Sequence, residues 1–379
     1  MKEKPGVKED RKGKRMCVND GGTMNRRLRE YGIVIGHGTP GPRNKITDVP
    51  GVKVGHETVD TERNKTGVTV ILPCEDNPFR RKLTAAAYIH NGFGKSQGLV
   101  QIEELGTLET PIALTNTLNV GLVHDAMVDY MLECAEKEGL SITSVNPVVG
   151  ECNDSVLNDI AHRAVGKAQV KAAIRSAKED FEEGDVGAGK GTVCFGLKGG
   201  IGSASRQVEL AGNVYTIGAL VQSNFGSTRN LVIQYEPVGE QLTDGSMDFE
   251  GTPLDRGSIM MVLATDLPVS DRQLKRICKR AGVGLSRCGS YMGHGSGDIV
   301  IGFTTANRIP SGEKEPMIPL TILSENLLDE VFPLAAEAVE EAVLNSLAEA
   351  KTVTGYDGTV KYSLTDVYLS KKYGKRVEI

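Results

Sequence analysis

The chain of 379 residues contains no tryptophan, and aromatic residues make up only 5% of it. A protein that grips single-stranded nucleic acid by stacking bases on exposed rings needs more. Excess positive charge is missing too, since the formal net charge is -5. Displacing counterions from a phosphate backbone takes a basic surface, so a general nucleic-acid binder is excluded. No segment has the length and freedom from charge of a membrane span. The opening "MKEKPGVKEDRKGKRMCVNDGGTMNRRLREYG" is charged throughout and lacks the apolar stretch of a secretory signal. It reads as a tail through about Leu28, within which Met24 is an alternative start. The seven cysteines (Cys17, Cys74, Cys134, Cys152, Cys194, Cys278 and Cys288) are odd in number and nowhere spaced C-x-x-C. That pattern argues against a disulfide framework or a zinc knuckle and fits a reducing cytoplasm. The scattered histidines offer no metal-ligand set, so no cofactor is expected.

What the chain has in quantity is glycine, 45 residues, which implies many tight turns and many close approaches of backbone. "TGVTVILP" (66–73) and "LTAAAYIH" (83–90) read as buried strands, and "ITDVPGVKVGH" (46–56) alternates short β-prone runs with turn residues. The later part of 119–139 has helical spacing and stops at Gly139, while 157–180 reads as one or two further helices. Residues 191–226 read as three strands joined by hairpins, 270–290 as a helix and 297–307 as a strand. Residues 323–350 read as a long helical region that Pro333 can break. Hairpins in blocks, rather than strict βαβ alternation, point to largely antiparallel sheets between helix layers in one catalytic domain, 29–379. The stretch "QYEPVGEQLTDGSMDFEGTPLDRG" (234–257) reads as a long loop, and loops of that length tend to be functional or disordered.

That loop ends at Ser258, in "LDRGSIMMVLAT" (254–265). A Gly-Ser pair before a strand is usually an ordinary turn. Here an apolar run follows that can serve as rigid support, and Gly257 removes the Cβ and permits strained backbone. A serine hydroxyl can attack its own preceding carbonyl. Cleavage would leave Ser258 with a free α-amine able to act as base to its own hydroxyl. Four other clusters accompany it. In "GHGSGDIVIGF" (293–303), Ser296 and Asp298 would share a strand face; a glycine turn capped by Asp298 is the plainer alternative, and His294 alone is weak evidence. In "NPVVGECNDSVLND" (146–159), Glu151 can hold a substrate cation, Asp154 suits a helix N-cap, and Cys152 could pair with His162 as a nucleophile, though nothing nearby marks it as activated. In "LVQSNFG" (220–226), Asn224 ends an apolar strand and can donate to an oxyanion or simply make a turn. "GDVGAGKGT" (184–192) meets the phosphate-loop spacing at Gly184, Gly189 and Lys190, but Gly191 replaces Ser or Thr and no strand precedes it, so nucleotide binding is rejected.

Taken together, "ITDVPGVKVGH", "NPVVGECND", "GAGKGTVCFGLKGGIGSASR", "RGSIMMVLATD" and "GSGDIVIGFTTAN" closely resemble the DmpA family of L-aminopeptidase/D-esterase/amidases and β-peptidyl aminopeptidases. The resemblance runs from "GHGTPGPRNKITDVPGVKVGH" to about Leu364. It implies a four-layer α/β/β/α sandwich, like that of N-terminal nucleophile hydrolases with different connectivity. It also implies self-cleavage between Gly257 and Ser258 into two pieces that stay packed together. Ser258 matches the nucleophile, Ser296 and Asp298 the residues that position and polarise the freed amine and hydroxyl, Asn224 the oxyanion donor, and Glu151 the carboxylate that grips the substrate's amino group. Two departures stand out. Asn153 takes a place where some members carry tyrosine, which bears on a second oxyanion contact and on side-chain preference, and Asp298 stands where relatives can have glutamate. The implied substrates are short peptides and amino-acid amides or esters, with a homotetramer implied by resemblance alone and neither nucleic acid nor membrane as partner. Acyl transfer of the ornithine acetyltransferase type, an uncleaved non-catalytic protein and a Cys152 hydrolase are the rival readings.

Overall fold

The computed structural model describes residues 7–9, 15–17, 25–243, 256–312 and 316–373. Nine strands carry the fold: β1 (Lys53–Asp60), β2 (Lys65–Leu72), β3 (Arg81–Gly92), β4 (Ile112–Asn116), β5 (Val148–Cys152), β6 (Gly200–Leu210), β7 (Asn213–Asn224), β8 (Arg256–Thr265) and β9 (Gly295–Pro310). Five helices cover them: α1 (Val120–Glu138), α2 (Lys167–Arg175), α3 (Asp271–Cys278), α4 (Ala281–Arg287) and α5 (Leu328–Ala348). One sheet has the order β6-β7-β8-β9-β3, extended by the two-residue strand Thr107–Leu108. The other has the order β1-β2-β4-β5. Pairing is antiparallel except for β8 with β9 and β4 with β5.

Period-two alternation sorts the strand residues into three apolar layers. Met260, Val262 and Ala264 meet Leu114, Val148 and Ile71 between the two sheets. Their neighbours Ile259, Met261 and Leu263 face the opposite way, against Val339, Val343 and Leu347 of α5. On the outer face of the smaller sheet, Val68, Val70 and Val149 pack on Val123 and Met127 of α1 and Val170 of α2. The result is the four-layer α/β/β/α sandwich. Close backbone approach is built in: a Cβ on Gly202 of β6 would lie 2.0 Å from the carbonyl oxygen of Ala342 in α5.

Several local expectations change. The helical signal at 119–139 is helical nearly throughout, as α1. The segment 157–180 holds only the short turn Ile160–His162 and α2, because 176–183 runs back across β1. The expected helix over 270–290 is two, α3 and α4. Helix α5 continues through Pro333, which sits near its start and interrupts little of the hydrogen-bond ladder. The stretch 234–257 includes the helix Val238–Thr243, and 244–255 lie outside the described residues, as does Met24. Leu28, placed at the end of the expected tail, is fully buried, and Arg27 pairs with Glu183 at 3.0 Å. Among the described residues no helix is long and apolar enough to cross a membrane.

Helix α5 is tied to β6 by charge. The guanidinium of Arg206, fully buried, reaches Glu337 at 3.2 Å and Glu341 at 2.6 Å, and also donates to the carbonyl of Ile35. Burial pushes the Glu341 carboxyl up, but Arg29 and Arg206 outweigh burial and hold it below its ordinary 4.5. Its share of the stability is therefore present at neutral pH and lost as the pH falls through the folded value. Arg206→Met removes the cation from buried Glu337, leaves Glu341 with Arg29 alone, and is expected to cost about 3–5 kcal/mol in chemical denaturation at pH 7. The cost shrinks in acid, where Glu341 takes up a proton and no longer needs its cation.

Candidate active site

Three neighbouring strands bring the nucleophile candidate to one sheet end. In the ladder, Ser258 of β8 lies opposite Asn224 of β7 and opposite Gly297 of β9. On the same β9 edge, Gly257 faces Ser296 and Ile259 faces Asp298. Ser258 is 6% exposed, and its hydroxyl donates to the carbonyl oxygen of Gly257 at 2.7 Å. Gly257 has φ +139°, and a Cβ there would stand 1.8 Å from the carbonyl oxygen of Asn224. Only glycine fits that backbone. Gly297 is constrained as well: a Cβ would come 2.3 Å from the Phe93 carbonyl oxygen and 3.2 Å from Ser258 Oγ.

Ser258 opens onto a cavity of about 810 Å³ that Asn224, Glu151, Asn153, Gly257 and His294 also line. Asn224 is oriented by a donor that only its oxygen can accept. The Val193 N–H donates to Asn224 Oδ1 at 2.9 Å, so the NH2 side of that amide is the donor left for the cavity. Glu151, 3% exposed at the end of β5, accepts from the Lys95 N–H at 2.9 Å and from the Thr117 hydroxyl. Asn153 is exposed, and its side-chain oxygen is occupied by the Ser155 N–H at 3.0 Å.

Ser296 and Asp298 are fully buried and bonded to each other, with the hydroxyl donating to the carboxylate at 2.8 Å. They share the strand face of Val300, toward the helix layer, whereas Ser258 shares the face of Met260, between the sheets. The pair thus sits across the ladder from Gly257 and Ile259, on the face opposite the Ser258 hydroxyl, and is absent from the cavity wall.

The rival sites do not assemble. The Cys152 thiol is buried and donates to the carbonyls of Gln222 and Ser258, both at 3.4 Å. Burial and the neighbouring Glu151 push its pKa well above 9.0. His162 is engaged by Asn64 and does not line the cavity. Asp154 lies within a buried polar cluster, where Asn158 donates to it at 2.9 Å. In the phosphate-loop look-alike, Gly187–Gly189 is a single tight turn, and Lys190 is neutralised by Asp60 at 2.8 Å and Asp185 at 3.0 Å.

Sequence reasoning missed Lys95, Thr117 and Val193, which orient Glu151 and Asn224 through backbone or hydroxyl groups from distant segments. It also missed Lys198. That side chain is fully buried and hydrogen-bonds the carbonyls of Gly189, Thr192 and Gly199 at 2.7–2.9 Å. Burial lowers its pKa to about 7 against the pull of Asp185. A lysine among glycines was the one visible signal.

A family model, Peptidase family S58, matches residues 44–361. The chain belongs to peptidase family S58. It is 39% identical to the β-peptidyl aminopeptidase BapA of Sphingosinicella microcystinivorans, over 88% of each chain. Among solved structures it is similar to the PH0078 protein of Pyrococcus horikoshii OT3 (49% identity, TM-score 0.85, 93% of this chain and 100% of that one). It is similar also to the L-aminopeptidase D-Ala-esterase/amidase of Ochrobactrum anthropi (36% identity, TM-score 0.84, 93% and 99%), described as a prototype serine aminopeptidase and a new variant of the Ntn hydrolase fold. This S58 chain is a serine aminopeptidase by family and fold. Because its thiol is buried and un-ionised, Cys152→Ala is expected to keep amidase activity within about twofold, a change of a few tenths of a kcal/mol, measured as kcat/KM on an amino-acid amide. Loss of activity in that variant would restore the cysteine reading.

Proposed function

We propose that the S58 chain cuts itself between Gly257 and Ser258 and then releases N-terminal residues from short peptides, amino-acid amides or esters. The observation that carries this reading is the Ser258 hydroxyl against the Gly257 carbonyl, at a glycine-only backbone, on a cavity shared with Glu151. In the first stage Ser258 Oγ adds to the Gly257 carbonyl carbon, the C–N bond breaks, and the hydroxyl proton ends on the departing nitrogen. Water then opens the ester, leaving a Gly257 carboxylate and a free Ser258 amine. In turnover that amine takes the hydroxyl proton, Oγ attacks the substrate carbonyl, and the leaving group carries the proton away before water hydrolyses the acyl-enzyme. Asn224 donates to the developing oxyanion. Ser296 and Asp298, across the ladder from Gly257 and Ile259, orient the amine. Glu151 takes the substrate's ammonium, which explains action at a free N-terminus.

The relatives' names support peptides, β-peptides, amides and D-alanine esters as substrate classes. Asn153, tied up in its own turn, leaves that wall less bulky than a tyrosine would. The exposed apolar residues Met317, Leu320 and Ile322 support association into a homo-oligomer, which sedimentation tests. The free thiols of Cys74, Cys134, Cys152, Cys194, Cys278 and Cys288 support a cytoplasmic setting. Transfer of the acyl group to an amine in place of water remains the second reading, separated by product analysis with an added amine acceptor.

The deciding experiment is a denaturing gel of the purified protein beside Ser258→Ala. Two fragments, the smaller beginning at Ser258, are expected for the native chain and one full-length band for the variant. A full-length native band that hydrolyses nothing would make the chain a non-catalytic relative. Glu151→Gln should still self-cleave but lose about 10–150-fold in kcat/KM on substrates with a free amine, the worth of a charge-assisted hydrogen bond.

A further inference from the structure

We propose that Lys198 is a positioning residue for the oxyanion donor, acting on Asn224 through the single peptide unit that joins Thr192 to Val193. The inference rests on the assignment of Asn224 above. The Thr192 carbonyl oxygen accepts from the Lys198 ammonium at 2.9 Å. The N–H at the other side of the same peptide plane, that of Val193, donates to Asn224 Oδ1 at 2.9 Å. A peptide unit is rigid and planar, so fixing its oxygen fixes the direction of its N–H. The path is then continuous: ammonium to peptide oxygen, peptide N–H to amide oxygen, amide NH2 to cavity.

The remaining contacts lock that peptide in place. The other two N–H groups of the ammonium go to Gly189 at 2.8 Å and Gly199 at 2.7 Å, so all three donors of the lysine are spent on carbonyls. Thr192 is gripped a second time by the Gly199 N–H at 3.0 Å, and the Lys198 N–H ties the strand to the Tyr362 carbonyl at 2.8 Å. Packing alone would be served better by an apolar side chain, since burying a charge is costly. A buried cation does what an apolar residue does not. It polarises the Thr192–Val193 amide, strengthens that N–H as a donor, and through Asn224 sharpens the NH2 that meets the oxyanion.

The test uses the complete self-processed enzyme, both fragments together, and two readouts. In Lys198→Met, amide exchange at Val193 is expected to accelerate at least tenfold while Met260–Leu263 of β8 keep their protection, which a general loosening would not allow. The same variant is expected to lose about tenfold or more in kcat with KM nearly unchanged, less than the roughly 10²–10³ that deletion of an oxyanion donor costs. In an Asn224→Ala background that loss should vanish, because a residue acting only through Asn224 has nothing left to position. Unaltered Val193 exchange, or the same kcat loss in both backgrounds, overturns the proposal. Native enzyme that hydrolyses no amide defeats the functional reading alone, and the exchange measurement still decides Lys198. If the methionine variant does not fold, Lys198→Gln, which keeps part of the donor set, enters the same scheme with an intermediate effect.

Discussion

Everything at the active end of this sandwich depends on one backbone constraint, the positive φ of Gly257 where β8 enters between β7 and β9. A side chain there would collide with the Asn224 carbonyl. Because it is glycine, the chain can turn into the ladder with the Ser258 hydroxyl folded back onto the bond before it. The register then does the rest. Asn224 and Gly297 are direct ladder partners of Ser258, so the proposed donor, the proposed nucleophile and the space beside them are set by main-chain hydrogen bonds and not by long flexible side chains. Sites built on strands gain their accuracy in this way.

The two faces of β8 divide the labour. Toward the smaller sheet lie the hydroxyl, Glu151 and the cavity. Toward the helix layer lie Ser296 and Asp298, buried where water cannot weaken their interaction. Farther out, Arg206 binds the long helix to β6 with buried charge, and the cage around Lys198 holds the glycine-rich turn against the end of β7. Buried cations in both places organise carboxylates or carbonyls that the apolar layers alone would leave unoriented.

The strands and the layer order were legible because alternation and glycine-marked turns write themselves into short windows. Ser258, Ser296, Asp298, Asn224 and Glu151 were legible singly only as weak signals, and their pattern together made the family resemblance. What stayed hidden was non-local. Lys95 and Val193 contribute backbone N–H groups, which carry no residue-type signature. Thr117 sits 34 positions from the carboxylate it serves. The division of 270–290 into two helices was invisible because both halves carry basic residues on the same apolar spacing, and the pattern does not register the turn between them.

The sheet order has a consequence for the history of each molecule. The strands after position 257, β8 and β9, lie in the middle of the larger sheet, with β7 on one side and β3 on the other. A cut after Gly257 therefore leaves two polypeptides woven through each other: the N-terminal fragment keeps the smaller sheet, but the larger sheet exists only while both fragments are together. Before the cut, folding is a first-order search by one chain. Afterward, recovery from unfolding needs an encounter of two. The mature protein would hold its shape by the height of its unfolding barrier, as a state reached once from the precursor and not readily revisited.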